Sequence, residues 1–457
     1  MKKVWGCFGW GLLVLLLLVV AGFTVAYLVT EQSRQAAIES LSRPASLDMY
    51  ERLAAGQPLD LFADPDADDE YDIRQRLDDY SYLFTDQGQL FAEWYARTPA
   101  ETFERWGDRP KDIREWDEEL WAIAEDVVAS NQDLIPETRR LAKEGGPVYP
   151  LDVATGLATE MPHLAPMREL ARVLSLDAIV KARHGDIDEA VENVIAAMQL
   201  SDALACEPVL ISQLVRIAIC GIANDTIRDA FEPGDLTPEH VRRLIEQAGQ
   251  AVNHQAFADG LAGEALLGVA TFEQMRRGGA VPFGFRPSDE GFALRLLASA
   301  PARPVLNKDE QTYLEMMKRM AETAELPYAE AVLKLAELDM EIQALPFTKP
   351  LSRMLLPALT RASEAQARHE AVIGLMQVGL ALELYYAEHG TYPDTLGAIA
   401  PELGGAVPSD PFTGAPFQYK PEAETFLLYS VGPNRIDDGG RHYADIVWRG
   451  VKEQVRR

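Results

Sequence analysis

The residues best suited to chemistry in this chain are Asp437 and Asp438, followed at once by Gly439 and Gly440. Two adjacent carboxylates supply hard oxygen donors, and glycines let a backbone turn tightly around them. Ca²⁺ takes roughly six to eight such oxygens, so cation binding is the chemistry this pattern suits. The competing reading is an ordinary solvated acidic turn. Few other residues suggest a reaction. His163, His184, His240 and His254 are scattered, and isolated histidines of this kind are expected at the surface or in loops. His369-Glu370 lacks the second histidine of an HExxH helix. No GxSxG, P-loop or GxGxxG occurs. The acidic stretch "DPDADDEYD" at Asp64 lacks the Gly and terminal Glu of an EF-hand loop. Cys206 and Cys220 on one helix would stand about 21 Å apart, too far for a disulfide. A break near Glu207-Pro208 would bring them closer, and free thiols are the expectation. No CxxC or Cys/His cluster points to zinc.

Charge narrows the partners. The chain has 71 acidic and 43 basic residues, a formal net charge of −28. Phosphate backbones need a basic face, so nucleic acid is excluded as a partner.

Three kinds of element must position these residues. The first is an N-terminal span: no charge falls between Lys3 and Glu31. That run is long enough to cross a hydrocarbon core, and it exceeds the apolar core of a cleaved signal peptide. Lys2 and Lys3 put the N-terminus in the cytoplasm and the bulk of the chain outside. Residues 1–30 are therefore expected as a single-pass inner-membrane anchor, contacting lipid through residues 4–29.

Residues 31–360 read as α-helices joined by polar loops, a helical bundle or irregular solenoid. Ile113, Trp116, Leu120, Ile123 and Val127 lie on one stripe of an expected amphipathic helix. A helix near 167–183 should end at Gly185, with Asp186 or Asp188 capping the next. This helical hairpin resembles a single tetratricopeptide unit, without a second copy at the required period. Thr237 is expected to cap a later helix. The Gly- and Pro-rich stretch 276–295 reads as a loop or junction, and "LPFTKPLSRMLLPAL" as a second connector ending near Leu359.

Residues 361–457 form the third element. A long helix from Arg361 should end at Gly390, and its run Ala371–Leu382 is too short to span a membrane. A short helix near Asp394 or Thr395 follows. "FQYK", "TFLLYS" and "ADIVW" then read as strands of a small antiparallel sheet. The fold class is mostly α, with a C-terminal α+β unit.

The combination "ALELYYAEHGTYPDTL…VPSDPFTGAPFQYKPE…FLLYSVGPNRIDDGG…ADIVW" resembles the C-terminal part of the major pseudopilin of type II secretion systems. It also resembles bacterial envelope proteins with one anchor, a helical middle and this ending. The pseudopilin resemblance implies a structural calcium held by Asn434, Asp437, Asp438 and Asp445, with carbonyls near Tyr429 and Ser430. Asn434 stands where that family carries Asp, which lowers the charge of the implied site. A second departure is larger. About 330 residues separate the span from the unit, whereas a pseudopilin grows directly from its membrane helix. Gly22-Phe23-Thr24 mimics a prepilin cleavage site, but it falls late in the apolar run, with Tyr27 where an acid belongs. The functional expectation is an extracytoplasmic structural or interaction protein, anchored in the membrane and bound to a protein partner in the envelope. The alternative is an extracytoplasmic hydrolase using carboxylates of the helical region.

Overall fold

The computed structural model describes residues 26–35, 99–144, 151, 153–232, 234–277, 303–422, 425–441 and 444–448. Most of the expected span, the Asp64 stretch and most of the 276–295 loop lie outside these residues.

Twelve α-helices occur among the described residues. They are α1 (residues 26–35), α2 (Ala100–Gly107), α3 (Glu118–Ser130), α4 (Leu134–Lys143), α5 (Leu164–Arg183) and α6 (Ile187–Asp202). Next come α7 (Leu210–Ala230), α8 (Pro238–Ala251), α9 (His254–Arg276), α10 (Arg303–Ala324), α11 (Tyr328–Gln343) and α12 (Pro350–His389). A 3-10 helix, Leu396–Leu403, leads to β1 (Gln418–Pro421), β2 (Phe426–Ser430) and β3 (Ile446–Val447). Both strand pairs are antiparallel, with β2 central. Mostly helical with a small C-terminal sheet is thus the observed class.

Local chemistry sets many of the boundaries. Gly185 and Gly390 end α5 and α12 with φ of 86° and 74°, a region that only glycine enters without cost. Thr237 begins α8 in a capping box with His240, and Pro238 fills the position whose N–H is unused. Asp186 is the N-cap of α6 but makes no side-chain bond there.

Two elements depart from expectation. The stripe from Ile113 to Val127 is not one helix. Asp117 accepts from the Leu120 N–H at 2.9 Å and starts α3 afresh, while Ile113–Glu115 is a separate 3-10 turn. The connector ending near Leu359 is also not a connector. It is the first part of α12, which begins at Pro350 rather than Arg361. Pro350 sits in the first turn, where its missing N–H costs nothing, and α12 runs through Pro357. Leu351, Leu355, Leu356 and Leu359 are buried on one side of it, and that burial outweighs the bond Pro357 removes.

Helix α12 is 40 residues long, about 60 Å, and two hydrophobic cores divide it. Its first half, to Ala362, packs with α9, α10 and α11. Its second half, from Ala367, packs on α7 and α8, shares one core with α5 and α6, and meets the C-terminal unit through Phe412, Phe417, Leu428 and Trp448. Close approach to the sheet depends on small residues. A methyl on Gly379 would lie 2.1 Å from the Trp448 ring, and one on Gly374 2.9 Å from Phe417.

The lower bundle has a clear polarity. Asp309 of α10 meets Leu351 and Ser352 at the start of α12. Higher up, Thr323 and Ala324 share a cleft with Ser363 and Gln366. So α10 and α12 run side by side in one direction. Helix α9 runs against them, placing Arg276 beside Asn307 and Glu310. The starts of α10 and α12 and the end of α9 therefore share one end, the basal end. Helix α1 docks there: Gln311 donates to the Thr30 carbonyl at 2.7 Å, and Asn307 to Glu31 at 3.1 Å.

Among the described residues only α7 is long and apolar enough to cross a membrane, and half of its apolar stretch is buried inside the body. Its Gln213 and Arg216 are fully buried and make hydrogen bonds within the body. We read it as a core helix.

Candidate functional site

The loop after β2 brings its acidic residues together through backbone N–H groups. Asp445 accepts from Gly440 at 2.7 Å, from Arg441 at 3.1 Å and from Asp438 at 3.5 Å. Asp437 accepts from the Tyr429 hydroxyl at 2.7 Å and from the Gly439 N–H at 2.9 Å. Tyr429's bond holds the Asp437 carboxyl below its usual range. Asn434 donates to Asp438 at 2.8 Å and accepts from Ile436 at 3.0 Å. Much of the acceptor capacity of Asp437 and Asp445 is thus spent inside the loop. No group of three or more acidic, His or Cys side chains among the described residues converges as a metal cage.

The residues that carry the pseudopilin resemblance are structural ties. Asp410 is buried and accepts from the Phe412 N–H, the Ser430 hydroxyl and the Val431 N–H at 2.9, 2.9 and 3.0 Å. It therefore pins the turn before β1 to the end of β2. Tyr392 stacks on Tyr386 with ring centroids 4.6 Å apart. The Tyr419 hydroxyl donates to the Pro393 carbonyl at 2.8 Å. Together these bonds close the helix end, the Tyr-Pro turn and the sheet into one unit.

Where this unit meets the body lies a cleft of about 750 Å³. The start of α9, the α10–α11 turn, the middle of α12 and the loop before Asp410 line it. On one wall His254 sits 3.2 Å from Glu370, which also accepts from Gln366 at 3.0 Å. That bond to Glu370 raises the pKa of the His254 imidazole. Phe257, Leu335 and Ala367 give the cleft apolar surface.

Behind this wall is the most demanding polar cluster of the body. Arg216 is fully buried and donates to Gln213, to the Ala251 carbonyl at 2.8 Å and to the Asn253 carbonyl at 3.4 Å. His369 donates to the same Ala251 carbonyl at 3.1 Å. Burial, with Arg216 nearby, pushes the His369 imidazole down to about 4. Burial also pushes Asp202, on the other side of Arg216, up to about 6. These bonds fix the α8–α9 turn and so the position of His254.

The histidines meet the expectation of surface or loop positions only in part, and His163 lies in a turn without reaching the surface. His184 and His254 are exposed, but His163 is fully buried, 2.8 Å from the equally buried Glu207. His240 is largely buried in its capping box. Forty-four residues separate His163 from Glu207, so no local pattern signals the pair. Cys206 and Cys220 are both free.

No family model, curated protein or solved structure matches this chain. The functional reading therefore rests on the residues alone. The cleft offers one acid–base pair, three glutamine amides and apolar walls, a lining suited to holding a side chain or short segment of another protein.

Proposed function

We propose that this chain is a single-anchor envelope protein, held outside the cytoplasm, that works by binding other proteins rather than by catalysis. Its helical body carries a C-terminal unit of pseudopilin type, and that unit docks on a secretion or pilus-like assembly. One observation supports the reading most. The residues of the resemblance are bonded to one another as framework, around Asp410 and the Tyr386–Tyr392 stack. Motif residues spent on framework describe an interaction fold rather than a reaction centre. The junction cleft adds a recessed surface beside that fold. Calcium in the Asp437-Asp438 loop is part of this reading only as the ion the resemblance implies.

A photoreactive amino acid at Ile436, which is exposed on the distal loop, tests the proposal in cells. We expect crosslinks to a protein component of an envelope assembly, and chain that stays with membranes after carbonate extraction. Crosslinks absent from every such component, at normal expression, would remove the docking role. Extraction into the soluble fraction would remove the anchor.

A further inference from the structure

We propose that the basal end of the body is itself seated on the bilayer, with Phe347 entering lipid. This rests on the anchored reading above and adds a second membrane contact, from a part of the chain about 320 residues away.

Three observations carry it. First, α1 records where water begins. Leu28 and Val29 are each 59% exposed, while the next turn of the same surface is Gln32 and Ser33. The uncharged run from residue 4 ends at Glu31, which is bonded to Asn307 of the body. The boundary between apolar and polar surface on α1 thus lies level with residues 307–311 of α10.

Second, exposed apolar side chains of the body gather at that level. Phe347 is 83% exposed in the loop before α12. That loop is tied to the same turn of α10, because the Lys349 ammonium donates to the Lys308 carbonyl and Asp309 accepts from Leu351 at 2.9 Å. Val305, one turn earlier on α10, is also exposed. Seated on the membrane of the anchored reading, Phe347 and Val305 would bury their apolar surface in lipid.

Third, the charge here opposes that of the whole chain. Two acids of this end are turned inward, while Glu273 is half-exposed and paired with Arg276 and Arg277. Glu310 is fully buried against Arg276 and Arg34, and Asp309 is fully buried on the backbone of α12. Lys308 and Arg353 are exposed. In a chain of net charge −28, a basic rim around an apolar side chain matches the headgroup region of anionic lipid.

The test uses the full chain reconstituted in phosphatidylcholine–phosphatidylglycerol vesicles containing a quencher-labelled lipid. An environment-sensitive fluorophore is placed, one site at a time, at Phe347→Cys, Val29→Cys and Leu333→Cys in a background without native cysteines. Leu333 is 70% exposed on the second turn of α11, far from the basal end. We expect several-fold quenching at 29 and 347 and none at 333. Quenching at 29 alone would overturn the seating while leaving the anchor intact. Absence of quenching at both 29 and 347 would overturn the anchor and the seating together. Equal quenching at 347 and 333 would mean non-specific adsorption and would also overturn it. The variant Lys308→Glu/Arg353→Glu is expected to weaken quenching at 347 but not at 29. Unchanged quenching at 347 would reject the basic rim as its cause.

Discussion

The helical body and the C-terminal unit bury polar groups in different ways. In the body, buried ionisable side chains tie one element to another: Arg216 to the α8–α9 turn, His163 to Glu207, Arg276 to Glu310. In the C-terminal unit, buried carboxylates accept from backbone N–H groups: Asp445 within its own loop, and Asp410 from its own turn and from Val431 after β2. The reason lies in the secondary structure. A helix satisfies its own peptide groups, so an interior polar side chain is free to bridge elements. A three-strand sheet with long loops leaves N–H groups without a ladder partner, and an aspartate is the compact acceptor that closes them. The body is thus specified by pairs, and the unit by single residues.

The largest expected effect comes from breaking a tie in the body. Arg216→Met should cost about 4 kcal/mol, because Gln213 and the Asn253 carbonyl lose their buried donor. Urea unfolding of the full chain measures this, and a loss below about 1 kcal/mol would deny the cluster its role. Asp410→Ala should cost about 3 kcal/mol, through the unmet Phe412 and Val431 N–H groups. It should release the sheet before the body, so fluorescence of Trp448 should change ahead of the helical circular dichroism signal. Coincident transitions would show that the shared core couples the two regions fully.

The third prediction concerns pH. His369 has a folded pKa of about 4 against 6.5 in the unfolded chain. Its neutral form is fully stabilising above pH 6.5, and that contribution is lost as pH falls from 6.5 toward 4. The loss should reach about 3 kcal/mol. His369→Gln should flatten the unfolding midpoint over that window, and an unchanged slope would contradict the burial assigned to it. The smallest effect belongs to the distal loop. In a calcium series with an EDTA control, melting should hardly move, because Asp437 and Asp445 already hold their donors. A calcium-dependent rise in melting temperature that is lost in Asp437→Ala/Asp438→Ala would place the ion in the loop after all.

This contrast explains what was legible in the sequence. Gly185, Thr237 and Gly390 act within one turn of themselves, so the sequence displays them directly. The strands around Tyr419, Leu428 and Ile446 could be read from alternation and turn residues. The long-range pairs could not. His163 and Glu207, Arg276 and Glu310, or Glu31 and Asn307 meet only once the helices are arranged, and helical periodicity names a face without naming its partner. The start of α12 was hidden for a different reason. Pro350 and Pro357 look like breaks locally, and only the leucines buried between and beyond them make the segment helical. The candidate loop was found because it is contiguous. The cleft was missed because four separate elements line it.

One unbroken helix, α12, joins the basal end to the C-terminal unit over about 60 Å. That makes it a lever. A tilt of roughly ten degrees where it starts would swing its far tip through about 10 Å. Small changes at the base thereby become large changes in the reach and aim of the distal unit.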